Sequence, residues 1–534
     1  MGILHYDDFA AAKLPPRSAW PELLFELPQL HYPAQLNCAA ELLKNAALHP
    51  DKTALIGAGI SLSYGQLQQQ VNRISHVLTG PMQLVPGNRV LLRGANNPML
   101  VACILAVWQT GCIAVPSMPM LRARELGVML DKAQINAALC STELKEDLLS
   151  AQLDHPVLRQ VMLYGDPEQG GGLEMQMQQQ SPEFTSWPSG QEDVCLIGFT
   201  SGTTGKPKAT LHFHRDVLAI CDCFPVSVLQ TRSDDIFIGT PPLAFTFGLG
   251  GLALFPLRVG GTGVLIEKYT PETLLQAIQT CRATICFTAP TFYRQMLALV
   301  SQFDLSSLRT SVSAGEALPV ATRAAWQDAT ALRMIDGIGA TEMLHIFISA
   351  AGDAIRPGAT GKPVPGYQAC ILDEQGRILP AGVVGRLAVK GPTGCRYLDD
   401  ERQASYVCNG WNVTGDAYEM DQDGYFWYRS RLDDMIISSG YNIGAPEVEE
   451  VLLLHPGVAE CAVIGLADPK RGQIVKAFVV LHSGFATDAA MTLELQNHVK
   501  RSIAPYKYPR VIEFRTSLPR TETGKLQRFK LRTP

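Results

Sequence analysis

Strand-length apolar runs separated by helical segments recur along this chain, and that alternation constrains its fold more than any other feature of the sequence. Between Leu36 and about Cys140 it gives, for instance, a helix over Tyr64–Leu78 and a strand over Arg89–Arg93. It returns as a strand over Ile236–Thr240, a helix over Pro271–Cys281 and a strand over Ala283–Ala289. Strands that alternate with helices form parallel sheets whose faces the helices cover. The most apolar window, Met99–Val115, contains Trp108, Gln109 and Thr110 and falls short of the roughly twenty clean residues of a membrane span, so it reads as a core helix running into a buried strand.

At 534 residues the chain exceeds what one core organises, and at least two domains are expected. Between Gly361 and Val389 short strands broken by Gly and Pro predict a small, barrel-like antiparallel subdomain. The C-terminal stretch reads as a separate α+β unit, with strands over Val458–Gly465 and Val475–Leu481 and helices over Pro446–Leu454 and Leu493–Arg501. The expected division is an N-terminal α/β domain over 1–432 and a C-terminal domain over 433–534, meeting at a hinge that leaves a ligand cleft between them. The polar segment Glu168–Glu192, with its run MQMQQQ, is expected to be a loop or inserted tract.

Charge and cysteine usage exclude several classes of function. With 45 basic and 50 acidic residues the net charge is −5 and no basic run appears, which argues against a nucleic-acid partner. Thirteen cysteines without CxxC pairs suit reduced, buried thiols rather than a disulfide framework. The N-terminus lacks the apolar stretch of a secretory signal. A cytoplasmic protein with no membrane association is expected.

The segment FTSGTTGKPK, Phe199–Lys208, follows the apolar run Val194–Phe199 and has the composition of a polyphosphate grip. Gly202 and Gly205 let backbone N–H groups turn toward anionic oxygens, Thr200, Ser201, Thr203 and Thr204 supply hydroxyls, and Lys206 and Lys208 add charge. A solvated turn has similar composition, but a turn does not need paired hydroxyls between glycines. The spacing GxxxxGK[ST] is absent, so this is not a Walker A loop. DGIGATE, Asp336–Glu342, follows the strand-like Leu332–Ile335 and offers the Thr341 hydroxyl and, in Glu342, a hard oxygen ligand suited to Mg²⁺. TGDAYEMDQDGY, Thr414–Tyr425, presents Asp416, a carboxylate able to take two ribose hydroxyls, ahead of an Asp423–Gly424 turn. RSRLDDMIISSGYNI, Arg429–Ile443, contributes Arg431, and PRTETGKLQR, Pro519–Arg528, contributes Lys525.

In this order the five segments resemble the adenylate-forming superfamily of acyl-CoA synthetases, adenylation domains and luciferases. DGIGATEMLHIFIS, PPLAFTFGLGG and SAGEALP are further similar to its benzoate-CoA ligase group, and particularly the 2-aminobenzoate (anthranilate) branch. The resemblance implies a large domain of two helix-covered, mainly parallel sheets with a barrel-like subdomain, followed by a mobile small domain. It also implies a reaction in two halves: a carboxylate and ATP give an acyl-adenylate and pyrophosphate, and coenzyme A then displaces AMP to give a thioester. By the same resemblance Thr200 to Lys208 would order the outer phosphates, and Gly315, Glu316, Asp336 and Gly337 would frame adenine. Ile338 would cover the base where many relatives carry an aromatic ring, with Gly339 beside it. Thr341 would touch the α-phosphate, Glu342 would hold Mg²⁺, Asp416 would bind ribose and Arg431 ribose or phosphate. Lys525 would bridge the reacting carboxylate and the α-phosphate. Asp433 would be the hinge, and Gly440 and Tyr441 would line the tunnel for the CoA thiol.

The acyl pocket implied by the resemblance comprises Ala244, Phe245, Phe247, Gly248, Ala314 and His345. Aromatic walls over a glycine floor suit a flat ring. With Glu342 assigned to metal, no acid remains for a substrate ammonium group, so an aryl carboxylate is expected. His345 either hydrogen-bonds that substrate or is a satisfied core histidine. Loading of a carrier protein, a short- or medium-chain acyl-CoA synthetase and an inactive nucleotide binder remain alternatives, and a monomer or homodimer is expected.

Overall fold

The computed structural model describes residues 5–165, 172–200, 207–438, 441–468, 471–503, 505–520 and 526–532. The first alternation builds a six-stranded sheet in the order Gln160–Tyr164, Ala137–Ser141, Arg89–Arg93, Ile113–Ser117, Val194–Thr200 and Lys208–Phe213. Neighbours are parallel except at the last pair, where Lys208–Phe213 returns antiparallel to Val194–Thr200. Arg89–Arg93 and Ile113–Ser117 are buried along their whole length, as strands covered on both faces must be. Their connection is the helix Pro98–Gln109, which Asn97 caps by accepting from Leu100 N and which proline opens at its first position. Its sides are apolar all round because it lies in the core, against the amphipathic helix Tyr64–Thr79.

A nine-stranded sheet follows: Lys362–Pro363, Ile346–Ser349, Ile335–Gly339, Thr310–Ala314, Ile285–Thr288, Ile236–Gly239, Thr262–Leu265, Thr53–Gly57 and Ile60–Ser63. Its centre is parallel and its edge strands are antiparallel. The antiparallel subdomain contains Gln368–Leu372, Gly385–Lys390, Trp411–Met420, Val407–Cys408 and Phe426–Arg431. The turn Leu432–Asp434 then leads to a small α+β domain whose sheet is formed by Tyr441–Ile443, Ile436–Ser438, Gly472–Leu481, Val458–Asp468 and Val511–Phe514. Helices Ala445–Leu453 and Ala489–Ser502 cover one face of that sheet over a separate core that includes Val448, Leu452, Val479 and Leu495.

Two sequence expectations require correction. The described part of the glutamine-rich tract is not wholly loop: Leu173–Gln178 is a helix held by buried Leu173 and Met177, one turn apart, against Tyr64–Thr79. The strand near DGIGATE runs over Ile335–Gly339, so the motif's first residues are inside the sheet rather than after it. All thirteen cysteines are free, and among the described residues no helix is long and apolar enough to cross a membrane.

Candidate active site

Thr200 and Lys208 pair in register across the hairpin of the first sheet, while Ser201, Gly202, Thr203, Thr204, Gly205 and Lys206 lie outside the described residues. Lys208 Nζ stands 5.0 Å from the Tyr397 ring centre and 5.8 Å from that of Tyr406, and donates to the Tyr397 hydroxyl at 3.2 Å. Tyr397 in turn donates to Glu342 Oε1 at 2.5 Å. The glycine loop's lysine and the candidate metal ligand thus meet through one phenol, which no sequence motif marked.

The short turn Thr341–Met343 presents Glu342 at the edge of the second sheet. His212 Nε2 donates to the Thr341 carbonyl at 2.8 Å, tying this turn to the first sheet. Behind His212, Asp216 takes a hydrogen bond from Arg396 at 2.8 Å, and both side chains are fully buried. Burial alone would raise the Asp216 carboxyl, but Arg396 and the adjacent His212 outweigh it and bring it down to about 2.

Strand register sets a second group. Asp416 and Arg431 face each other across Trp411–Met420 and Phe426–Arg431, and the guanidinium donates to Asp416 Oδ1 at 2.9 Å. Burial raises the Asp416 carboxyl and Arg431 counters only part of the rise. Asp336 and Gly337 are buried in the strand Ile335–Gly339, whereas Ile338 is half-buried and Gly339 exposed. Burial pushes Asp336 up to about 7, against the pull of Arg323, and its Oδ1 has no hydrogen-bond partner among the described residues. Gly315 follows the strand Thr310–Ala314 at φ +87°. Glu316 accepts from Thr291 Oγ1 at 2.6 Å and lies 3.7 Å from the guanidinium of Arg520 in the small domain.

Between these groups is a cavity of ≈ 180 Å³ walled by Phe245, Phe247, Ala314 and His345, with Thr240, Thr246, Tyr269, Thr341 and Glu316 supplying its polar lining, so that an acid does border the pocket, contrary to expectation. Ala244 and Gly248 are not among its walls; a Cβ on Gly248 would come within 2.2 Å of the Pro242 carbonyl, so that glycine serves close backbone packing. His345 is 2% exposed, 4.5 Å from the Phe255 ring and 5.8 Å from Phe247. A Cβ on Gly250 would stand 2.4 Å from its Cδ2, so the glycine makes room for the imidazole. Burial lowers His345 to about 3; the Phe247 backbone offsets this slightly, yet neither ring nitrogen completes a well-aligned hydrogen bond with a described residue.

Of the remaining expected site residues, Lys525 and Gly440 lie outside the described residues. Asp433 falls in the turn Leu432–Asp434, and Tyr441 begins the strand Tyr441–Ile443. Sequence reasoning missed Tyr397, Tyr406, His212, Asp216, Thr240 and Tyr269. Only His212 and Asp216 had a local signal, following directly on the glycine loop; the others reach the site through pairings distant in sequence.

The model of the AMP-binding enzyme family matches residues 42–396, and that of the AMP-binding enzyme C-terminal domain matches 447–525. A benzoate–CoA ligase of Thauera aromatica is 34% identical over 515 residues, covering 95% of this chain and 97% of that protein. The anthranilate CoA ligase AuaEII, solved with anthranoyl-AMP, superposes with a TM-score of 0.90 at 35% identity over 95% of this chain and 98% of its own. A benzoate CoA ligase from Burkholderia xenovorans LB400 gives 0.85 at 31% identity, covering 93% and 99%.

Proposed function

From the premise that this chain belongs to the AMP-binding enzyme family, we propose that it is an AMP-forming acid–CoA ligase that activates a benzoate-sized aryl acid, with 2-aminobenzoate the better fit. The observation that carries this reading is the small cavity and its unsatisfied imidazole. A volume of ≈ 180 Å³ is close to the roughly 150 Å³ that accommodates benzene in a protein interior, and suits a single ring. Neutral His345 has one donor and one acceptor nitrogen, and neither makes a well-aligned hydrogen bond with a described residue. An ortho amino group would supply the acceptor with a proton, whereas plain benzoate leaves it bare, a difference that a buried polar group converts into selectivity.

In this reading the aryl carboxylate attacks the α-phosphorus of ATP, pyrophosphate leaves, and the CoA sulfur then attacks the acyl carbon and expels AMP. Asp416 holds the ribose hydroxyls, with Arg431 keeping its carboxylate oriented. Lys208 approaches the outer phosphates from the face of Tyr397. Glu342 keeps one oxygen on Tyr397 and offers the other as a hard donor of the kind Mg²⁺ takes. Mg²⁺, when bound, neutralises charge on the departing pyrophosphate. His212 fixes the Thr341 carbonyl, so that the Thr341 hydroxyl is presented toward the α-phosphate. Lys525, carried by the small domain, lowers the repulsion between the two reacting anions.

The test is thioester formation, followed by mass, from ATP, CoA and a panel of benzoate, 2-aminobenzoate, hydroxybenzoates and short fatty acids. We expect 2-aminobenzoate to have the highest kcat/KM and fatty acids to react poorly. Efficient use of butyrate or hexanoate, or acyl-adenylate that never passes to CoA, contradicts the assignment.

A further inference from the structure

Of the two phenols packed beside Lys208, one is committed and the other is not. Tyr397 gives its proton to Glu342. Tyr406 sits edge-on to it, ring centres 5.6 Å apart, is 7% exposed, and its hydroxyl has no partner among the described residues. A buried hydroxyl left unpaired is costly, so an unmet donor packed beside the candidate phosphate-binding lysine points to a ligand atom.

The surroundings indicate which atom. The charged and ionisable groups that bear on the Tyr406 phenol include Glu342, Cys395, Asp416 and Arg431. Lys208 lies over its ring at 5.8 Å. Tyr406 is therefore within electrostatic reach of both the carboxylate assigned above to the outer phosphates and the pair assigned to ribose. In a nucleoside triphosphate the group between those two is the α-phosphoryl. Resting on the adenylating reading, we propose that Tyr406 is a further nucleotide-contacting residue whose hydroxyl donates to a non-bridging α-phosphoryl oxygen. Burial and the Glu342 carboxylate hold the phenol far above its ordinary range, so it remains an O–H donor at any working pH. A neutral donor also grips the oxygen while adding no charge that would have to be neutralised in the empty cleft.

The experiment uses the full chain carrying Tyr406→Phe, which keeps the ring and removes the hydroxyl. Dissociation constants for adenosine, AMP and ATP are measured by calorimetry in wild type and variant, beside thermal melts without nucleotide. Adenosine should bind both proteins equally, while AMP and ATP should bind the variant about tenfold or more weakly, as expected for a lost hydrogen bond to a charged group. The nucleotide-free melting temperature should be unchanged or higher, because the variant lacks the unpaired hydroxyl. Equal AMP affinity in the two proteins overturns the proposal. So does a loss for adenosine that matches the loss for AMP, which would make Tyr406 a packing residue. Pyrophosphate release by the wild type with aryl acids is scored separately, so failure of the ligase reading is seen there and not in the AMP-to-adenosine comparison.

Discussion

Asp336 illustrates how one buried carboxyl sets both a site and a cost. Its carboxyl is raised from 3.8 to about 7 by burial, so it binds a proton more readily folded than unfolded. Its contribution to stability is then fully present below pH 3.8 and is lost as pH rises through 7. Asp336→Asn should accordingly raise the melting temperature at pH 8 and change it little at pH 4, and melts at the two pH values check this. An equal shift at both would assign the effect to packing. Of the individual residues, those within recognisable motifs were the ones the sequence could single out: Lys208 and Glu342 meet through Tyr397, and Asp416 pairs with Arg431. Tyr397 and Tyr406 were not, because nothing in RYLDDERQASY distinguishes a phenol packed beside Lys208 from one filling a core. Only folding puts Tyr397 within 2.5 Å of Glu342, a residue 55 positions away.

At the scale of elements, the helix His214–Phe224, the strand before it and the segment around Arg396 are joined by one buried ion pair. Asp216 also takes the Phe213 backbone N–H at the helix start, so the same carboxylate caps the helix and steadies His212. Replacing one member of a buried pair leaves the other uncompensated, typically at about 3–5 kcal/mol. Arg396→Met should lose stability on that order in urea, with weaker adenylation as the Thr341 turn loosens; a loss below about 1 kcal/mol would show that water or a neighbour replaces the guanidinium. Element type and order followed from periodicity, as in Arg89–Arg93 and Pro271–Cys281, whose bounds coincide with expectation. The helix Leu173–Gln178 escaped because two apolar residues among glutamines form too weak a stripe without the neighbouring helix that buries them. The pairing of strands into two separate sheets is equally non-local, and no single run encodes it.

For the whole molecule, the proposed mechanism makes catalysis depend on where the small domain rests. Lys525→Ala should depress acyl-adenylate formation by on the order of 10² to 10³ while largely sparing thioester formation from supplied 2-aminobenzoyl-AMP, followed as two separate half-reactions. Equal losses in both would remove the division of labour between domain orientations. In the arrangement described here, Arg520 approaches Glu316 at 3.7 Å and Glu450 accepts from the Val320 backbone at 3.2 Å. Both are partly solvated contacts of the kind that contribute little and weaken as salt rises. The hold between the two domains in this arrangement is thus a slack one, and the saltiness of the surroundings becomes a dial on how long it lasts.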